Sequence, residues 1–349
     1  MKISIVTPHF NRADLLADTI KSVRAQSRSD WELIVVDDRS DPAHWEKIQA
    51  LAGPQIKVLQ RIDGIKGPSR CRNLGLKAAT GEYIFFLDSD DLLAPWCVTQ
   101  RLDAAATHPH ADLWVFPVLL FIKSAGDSDL QWNVLENSRA DLDRFLQSDP
   151  PWHTSSSLWQ REKLISLGGF NEAVFYGDDA DLHIRALVTG LKVQKITQAL
   201  PDVFIRRSEE ARITNSFGPA LIESRRVRLE QGSQFLQQAR ARAEFLLLWE
   251  GQYFVEAEFL LFNVDDSRAA IQRILLDWQQ RFQVGGLRKL LVTTYFHLAL
   301  ACRKNAYFLL RLARRLAMKL LPAEFFPRGG VFQSARLAVE KMQIVRSKL

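Results

Sequence analysis

Two short runs in the amino-terminal third, ELIVV (Glu32–Val36) and YIFFL (Tyr83–Leu87), meet acids abruptly, at Asp37-Asp38 and at Asp88-Ser89-Asp90-Asp91. A third, KISIVT (Lys2–Thr7), stops at Pro8. A strand with one solvated face alternates polar and apolar residues. Runs this apolar belong to strands covered on both faces, as in parallel sheets flanked by helices. The intervening segments agree: Asp14–Gln26 places Leu16, Ile20 and Val23 at helical spacing, Ile56–Gln60 reads as a further short strand, and Ser69–Ala79 reads as a helix. Ligands of parallel sheets bind outside the carboxyl ends of the strands. Thr7-Pro8, Asp37-Asp38 and Asp88-Ser89-Asp90 are therefore expected along one edge.

Farther along, Leu113–Val118 reads as a strand, Arg161–Leu167 as a short helix before Gly168-Gly169, and Asp181–Thr189 as a helix stopped by Gly190. Beyond Pro219 the pattern is helical. We expect an α/β domain over residues 1–216 and a helical, basic region over 217–349. Hydrophobic residues make up 47% and charged residues 25% of 349 residues, which suits a well-cored globular chain. Cys71, Cys97 and Cys302 are widely spaced, which argues against a disulfide framework or structural zinc and mildly favours a reducing compartment. Met1-Lys2 leads straight into a strand pattern, and no apolar run reaches the roughly 18–20 residues that span a bilayer. A cytoplasmic location is the expectation.

Asp88 and Asp90, one residue apart at a strand end, offer hard oxygens to Mg²⁺ or Mn²⁺. The same acids also suit a turn capping the next helix, with Asp91 as the cap. Arg70 and Arg72 sit at a helix start, an arrangement suited to an anion, although a solvated basic face reads alike. Asp178, Asp179 and Asp181 cluster where a helix dipole favours negative charge.

Four stretches, "SIVTPHFNRADLLADTIKSVRAQ", "ELIVVDDRSD", "GPSRCRNLGLKAATGEYIFFLDSDD" and "GGFNEAVFYGDDADLHIRALVTG", occur in an order and spacing that resemble family 2 glycosyltransferases. The resemblance covers roughly residues 1–210 and implies a GT-A fold, Rossmann-like with a mostly parallel sheet. It implies that Pro8 and Phe10, with Asn11 behind them, line the nucleotide base of a nucleotide-sugar donor. Asp38 would bond the base with Asp37 flanking it, and Arg72 would lie beside base and phosphates. Asp88, Ser89 and Asp90 would contact the ribose and a diphosphate-bound Mg²⁺ or Mn²⁺. Where the family usually has Glu-Asp, this chain has Asp178-Asp179. Asp179 inherits the role of base that deprotonates an acceptor hydroxyl, in a single displacement that inverts the anomeric carbon, and Asp178 remains the alternative. A loop that in the family often carries a histidine reads Arg206-Arg207-Ser208 here, so Arg207 is a candidate phosphate clamp. Trp152, ahead of the acid cluster, is a candidate for stacking on an acceptor sugar, with a core position equally open. His153 reads as structural.

The net charge of +6 is uneven. Residues 288–349 carry thirteen Lys/Arg against Glu324 and Glu340, leaving 33 basic and 38 acidic residues elsewhere. An acidic body argues against a nucleic-acid partner. In Asn305–Pro322, Phe308, Leu309, Leu312, Leu316 and Leu320 fall near one helical face and Arg311, Arg314, Arg315 and Lys319 largely elsewhere. That pattern suits either an anionic membrane surface, on the inner face of the cell membrane, or packing on the catalytic domain. A saccharide or lipid-linked acceptor is the expected second substrate. Two other classes compete: a sugar-phosphate nucleotidyltransferase, which would want a glycine-rich loop where TPHFNR stands, and a degenerate nucleotide-sugar-binding scaffold.

Overall fold

The computed structural model describes residues 1–349 apart from 63, 65, 133, 208–217, 303–306 and 327–334. Where one boundary between 216 and 217 was expected, the chain divides in segments. Met1–Ser138, Pro150–Glu210 and Phe332–Leu349 form one compact unit, and Arg139–Asp149 with Ala211–Val331 the other.

In the first unit, β1 (Ile3–His9), α1 (Ala13–Arg24), β2 (Trp31–Asp37), α2 (Pro42–Gln49), β3 (Ile56–Gln60), α3 (Pro68–Ala78) and β4 (Tyr83–Phe86) alternate as expected. They are followed by β5 (Leu92–Leu93), α4 (Cys97–Thr107), β6 (Leu113–Val115) and β7 (Leu119–Phe121). After α5 (Asp141–Leu146), which belongs to the second unit, come β8 (Ser157–Gln160), α6 (Arg161–Ser166), α7 (Asp178–Val188), β9 (Val193–Lys195) and β10 (Val203–Arg206). The main sheet has the order β3-β2-β1-β4-β8-β6-β9, and β5-β10-β7 form a small second sheet. Strands β3, β2, β1 and β4 are parallel, whereas β8 runs antiparallel to both β4 and β6.

Strand β1 runs on through Pro8 to His9 rather than ending at Pro8. Its pairing with β4 stops at Val6, while its pairing with β2 continues to His9–Asp37. Val6 accepts from Leu87 on the β4 side, and Pro8 has the same parity, so its missing N–H falls where no partner strand remains. Gly75 lets α3 press onto the sheet, because a Cβ there would stand 2.3 Å from Val6 Cγ1.

The second unit contains α5, α8 (Pro219–Gln238), α9 (Ala243–Asn263), α10 (Arg268–Arg281), α11 (Gly286–Cys302) and α12 (Tyr307–Leu320). Acids along α9 are buried and claimed by neighbouring helices. Glu256 accepts from Arg225 and Arg228 at 2.6 and 2.9 Å, Glu250 from Trp278 and Arg288 at 3.1 and 2.9 Å, and Glu258 from Arg314 at 2.9 Å. The last helix, α13 (Val339–Lys348), returns to the first unit, where Met342 and Val345 pack with Leu119, Phe121 and Phe204. Among the described residues no helix is long and apolar enough to cross a membrane.

Candidate active site at the carboxyl edge of the sheet

The register places Asp37 between His9 and Gln60, so the ends of three strands converge. Asp37 is fully buried. Its carboxylate accepts from His9 Nδ1 at 3.0 Å, Ser40 N at 2.9 Å and Gln60 Nε2 at 3.1 Å. Burial alone would raise its pKa, but these donors outweigh burial and hold it at about 2. With Nδ1 donating to Asp37, His9 Nε2 accepts from Arg12 N at 3.1 Å. Asp37 thus shapes two loops and turns no atom outward. Asn11 is similarly committed: its side chain and Asp41 exchange hydrogen bonds of 2.9 and 2.8 Å across those loops, at a φ of 50°.

Asp38 is buried between Arg61 Nε and Gly67 N, the latter at 3.0 Å. Arg61 follows β3, so the rule that located the acids also applies to it, although the sequence reading passed it over. Pro8 is half-buried on the same edge, and Phe10 is exposed with Lys66 Nζ 3.0 Å from its ring centroid.

Beyond β4, the chain turns so that Asp88 and Asp90 face the edge with 32% and 17% of their side chains exposed, while Ser89 and Asp91 are buried. Arg72 Nη2 donates to Asp88 Oδ1 at 2.8 Å and its Nη1 to Asp178 Oδ2 at 2.7 Å. One buried guanidinium therefore joins two acid clusters far apart in sequence. Arg12 Nη1 donates to Asp90 Oδ2 at 3.0 Å. Asp91 is not a helix cap. A short strand separates it from α4, and its Oδ1 accepts from Arg206 N at 3.0 Å, pinning β10 beneath the acids. Arg206 Nε donates to the Asp90 carbonyl at 2.9 Å. Arg207 is exposed immediately afterwards. Ser208 and the loop expected to close there lie outside the described residues.

Asp178 and Asp179 open α7, preceded by Gly177 at a φ of 68°. Asp178 also accepts from Ser69 Oγ at 2.8 Å. Burial, against the pull of Arg72 and with the push of Asp179 and Asp88, raises its pKa to about 6. Asp179 is less buried than Asp178, and its Oδ1 accepts from Ala180 N at 2.8 Å. Burial raises its pKa too. His183, in the next turn, donates through Nδ1 to the Asp179 carbonyl at 2.7 Å and accepts from Ser157 Oγ at 3.0 Å. Stacked on Trp159 and held neutral by burial, it fixes the backbone of Asp179.

Because β8 is antiparallel to β4, the residues just before it arrive at the acid edge. His153 stands there with Nε2 4.0 Å from Asp88 Oδ2, while its Nδ1 accepts from Ser155 N at 3.2 Å. Arg101, fully buried, anchors this turn: it donates to Ser155 O at 2.8 Å and to both oxygens of Asp202 at 2.9 Å. Trp152 is a correction. At 1% exposure, with its ring 5.5 Å edge-on from His183, it offers no face to a sugar. A hollow of about 430 Å³ lies at the opposite, amino ends of β1 to β3, lined by Lys2, Glu32 and Lys57 among others, and shares none of these groups.

Residues 4–157 match the family model "Glycosyl transferase family 2". Over 90 residues the chain is 38% identical to the UDP-Glc:alpha-D-GlcNAc-diphosphoundecaprenol beta-1,3-glucosyltransferase WfgD of Escherichia coli, covering 26% of this chain and 35% of that protein. Over 106 residues it is 39% identical to the GalNAc(5)-diNAcBac-PP-undecaprenol beta-1,3-glucosyltransferase of Campylobacter jejuni, covering 30% and 34%. The chain thus spans about a third of the length of these two relatives, and 15% of another glycosyltransferase, from Rickettsia conorii. Among solved structures, Staphylococcus aureus TarS in complex with UDP-GlcNAc superposes with a TM-score of 0.66 at 18% identity, covering 91% of this chain and 92% of TarS. That likeness establishes the fold.

Proposed function

We propose, from the match of residues 4–157 to the glycosyl transferase family 2 model, that the chain transfers a sugar, with inversion, from a nucleoside diphosphate sugar to an acceptor hydroxyl. The observation that carries this reading is the Arg72 bridge, which sets Asp88 and Asp178, and with it Asp179, along one edge. In this reading Pro8, Phe10 and Asp38 form the base subsite, braced by Asn11 and Asp37, while Asp88 and Ser89 hold the ribose. Arg72, Arg12 and Arg207 supply positive charge along the diphosphate. Asp178 is occupied by Arg72 and Ser69, so Asp179 takes the acceptor proton as its oxygen attacks the anomeric carbon. Holding the two substrates in line supplies further acceleration.

Asp88 and Asp90 fit a hard divalent ion: two carboxylates partly open at a strand end. Among the described residues no group of three or more metal-type side chains gathers, so phosphate and water would complete the shell. When bound, Mg²⁺ or Mn²⁺ supplies charge neutralisation at the departing diphosphate. The names of the Escherichia coli and Campylobacter relatives support a lipid-linked saccharide as acceptor, in cell-surface polysaccharide synthesis; with such an acceptor the protein would work peripherally on the inner face of the membrane.

Asp179→Asn tests the assignment. Turnover is expected to fall about 10²–10⁴-fold, with donor binding by thermal shift unchanged. Retained turnover assigns the proton to another group. A panel of nucleoside diphosphates and their sugars, with and without Mn²⁺, tests the wider reading; stabilisation by none of them would remove it.

A further inference from the structure

The apolar stripe of α12 faces away from its own unit. Around the helix, Ala317 and Leu321 are buried and Ala313 and Arg314 half-buried, with Arg314 tied to Glu258 at 2.9 Å. The opposite arc carries Phe308 at 77% exposure, with Leu309, Leu312, Leu316 and Leu320 at 46% to 59%. The half-buried Arg314–Glu258 pair, Ala313, Ala317 and Leu321 have taken the inward face, so the other large apolar side chains have nowhere inside to go. Leu287 and Leu290 on α11 are also exposed, and Leu287, Leu291, Leu320 and Leu321 line a shared hollow of about 310 Å³. The patch therefore extends over both helices. Exposed Arg311, Arg315 and Lys319 flank it. Between residues 286 and 322 the chain has eight Lys/Arg and no Asp or Glu.

We propose that this face seats the protein on an anionic lipid surface, Phe308, Leu312 and Leu316 entering the headgroup boundary and Arg311, Arg315 and Lys319 pairing with lipid phosphates. Charge decides the occupant. A second copy meeting this patch about a two-fold axis would bring cations against cations with no acid to receive them. A bilayer with anionic headgroups offers both apolar depth and opposite charge. The proposal deepens the reading of a lipid-linked acceptor, since it would hold the enzyme at the surface where such an acceptor lies.

Flotation of the full chain with vesicles of phosphatidylcholine alone, or with phosphatidylglycerol added, tests it without donor or acceptor. A failure here therefore leaves the transferase reading standing, and a failure of turnover leaves this one standing. Binding is expected only with phosphatidylglycerol, weakening as salt rises. The variant Phe308→Ser/Leu312→Ser/Leu316→Ser and the variant Arg311→Gln/Arg315→Gln/Lys319→Gln should each lose about tenfold or more. Both should keep the wild-type circular dichroism and melting temperature, because the replaced side chains are exposed. No binding to either vesicle, or binding unchanged in both variants, overturns the proposal. So does a wild-type dimer that the serine variant dissociates, which would assign the face to a second copy.

Discussion

Arg72 is one guanidinium among three acids, and it cannot neutralise all of them. That shortage, added to burial, is why Asp178 sits at about 6 and Asp179 is displaced in the same direction. A carboxylate acting as base must be ionised, so a raised pKa moves the loss of activity on acidification to higher pH. The acid limb of kcat/KM is expected above the usual carboxylate value of about 4; a limb at that ordinary value would contradict the burial argument. Arg72→Met leaves Asp178 buried without its cation and should cost about 3–5 kcal/mol in urea unfolding. Arg72→Lys should recover part of that stability and little of the turnover, because an ammonium does not reach two carboxylates in a fork.

The site's elements are held by close approaches that leave no spare room. Gly75→Val would drive a side chain into Val6 and push α3, which carries Arg72, off β1. About 1–3 kcal/mol of overpacking is expected, with weaker donor binding by calorimetry. Gly177 precedes α7 in the left-handed region. Gly177→Ala should cost roughly 1–2 kcal/mol there, and because Asp179 lies in the first turn of the helix, kcat should fall more than donor affinity. The antiparallel strand β8 matters in the same way: reversing the local chain direction is what delivers His153 to Asp88.

At the scale of the whole chain, sequence order and spatial membership diverge. The last residues would be read as the end of a helical tail, yet α13 completes the core around Phe121 and Phe204 in the unit that bears the acids. Met342→Ala is expected to destabilise that unit by about 2 kcal/mol, measured by chemical unfolding followed through donor-dependent stabilisation. An unchanged midpoint would mean α13 contributes no packing.

Much of this was legible in order and polarity. Uninterrupted apolar runs require a sheet covered on both faces, and acids at their ends require an edge where those acids meet. This placed Asp38, Asp88 and Asp90 and gave β1 to β4 almost to their ends. Burial of individual side chains was not legible, because it depends on which neighbours fold over. Trp152 went inward, Asp37 became a loop hub, and Asp91 turned to β10. Arg12 and Arg206 joined the acids through contacts between residues distant in sequence, which no local pattern encodes, whereas Arg61 at the end of β3 and His183 one helical turn after Asp179 were within reach of the sequence. The helical stripe of α12 was visible in the sequence, but its direction was not. A hydrophobic periodicity says that one face differs from the other; only the Arg314–Glu258 pair and the small residues beside it decided which face the protein kept for itself.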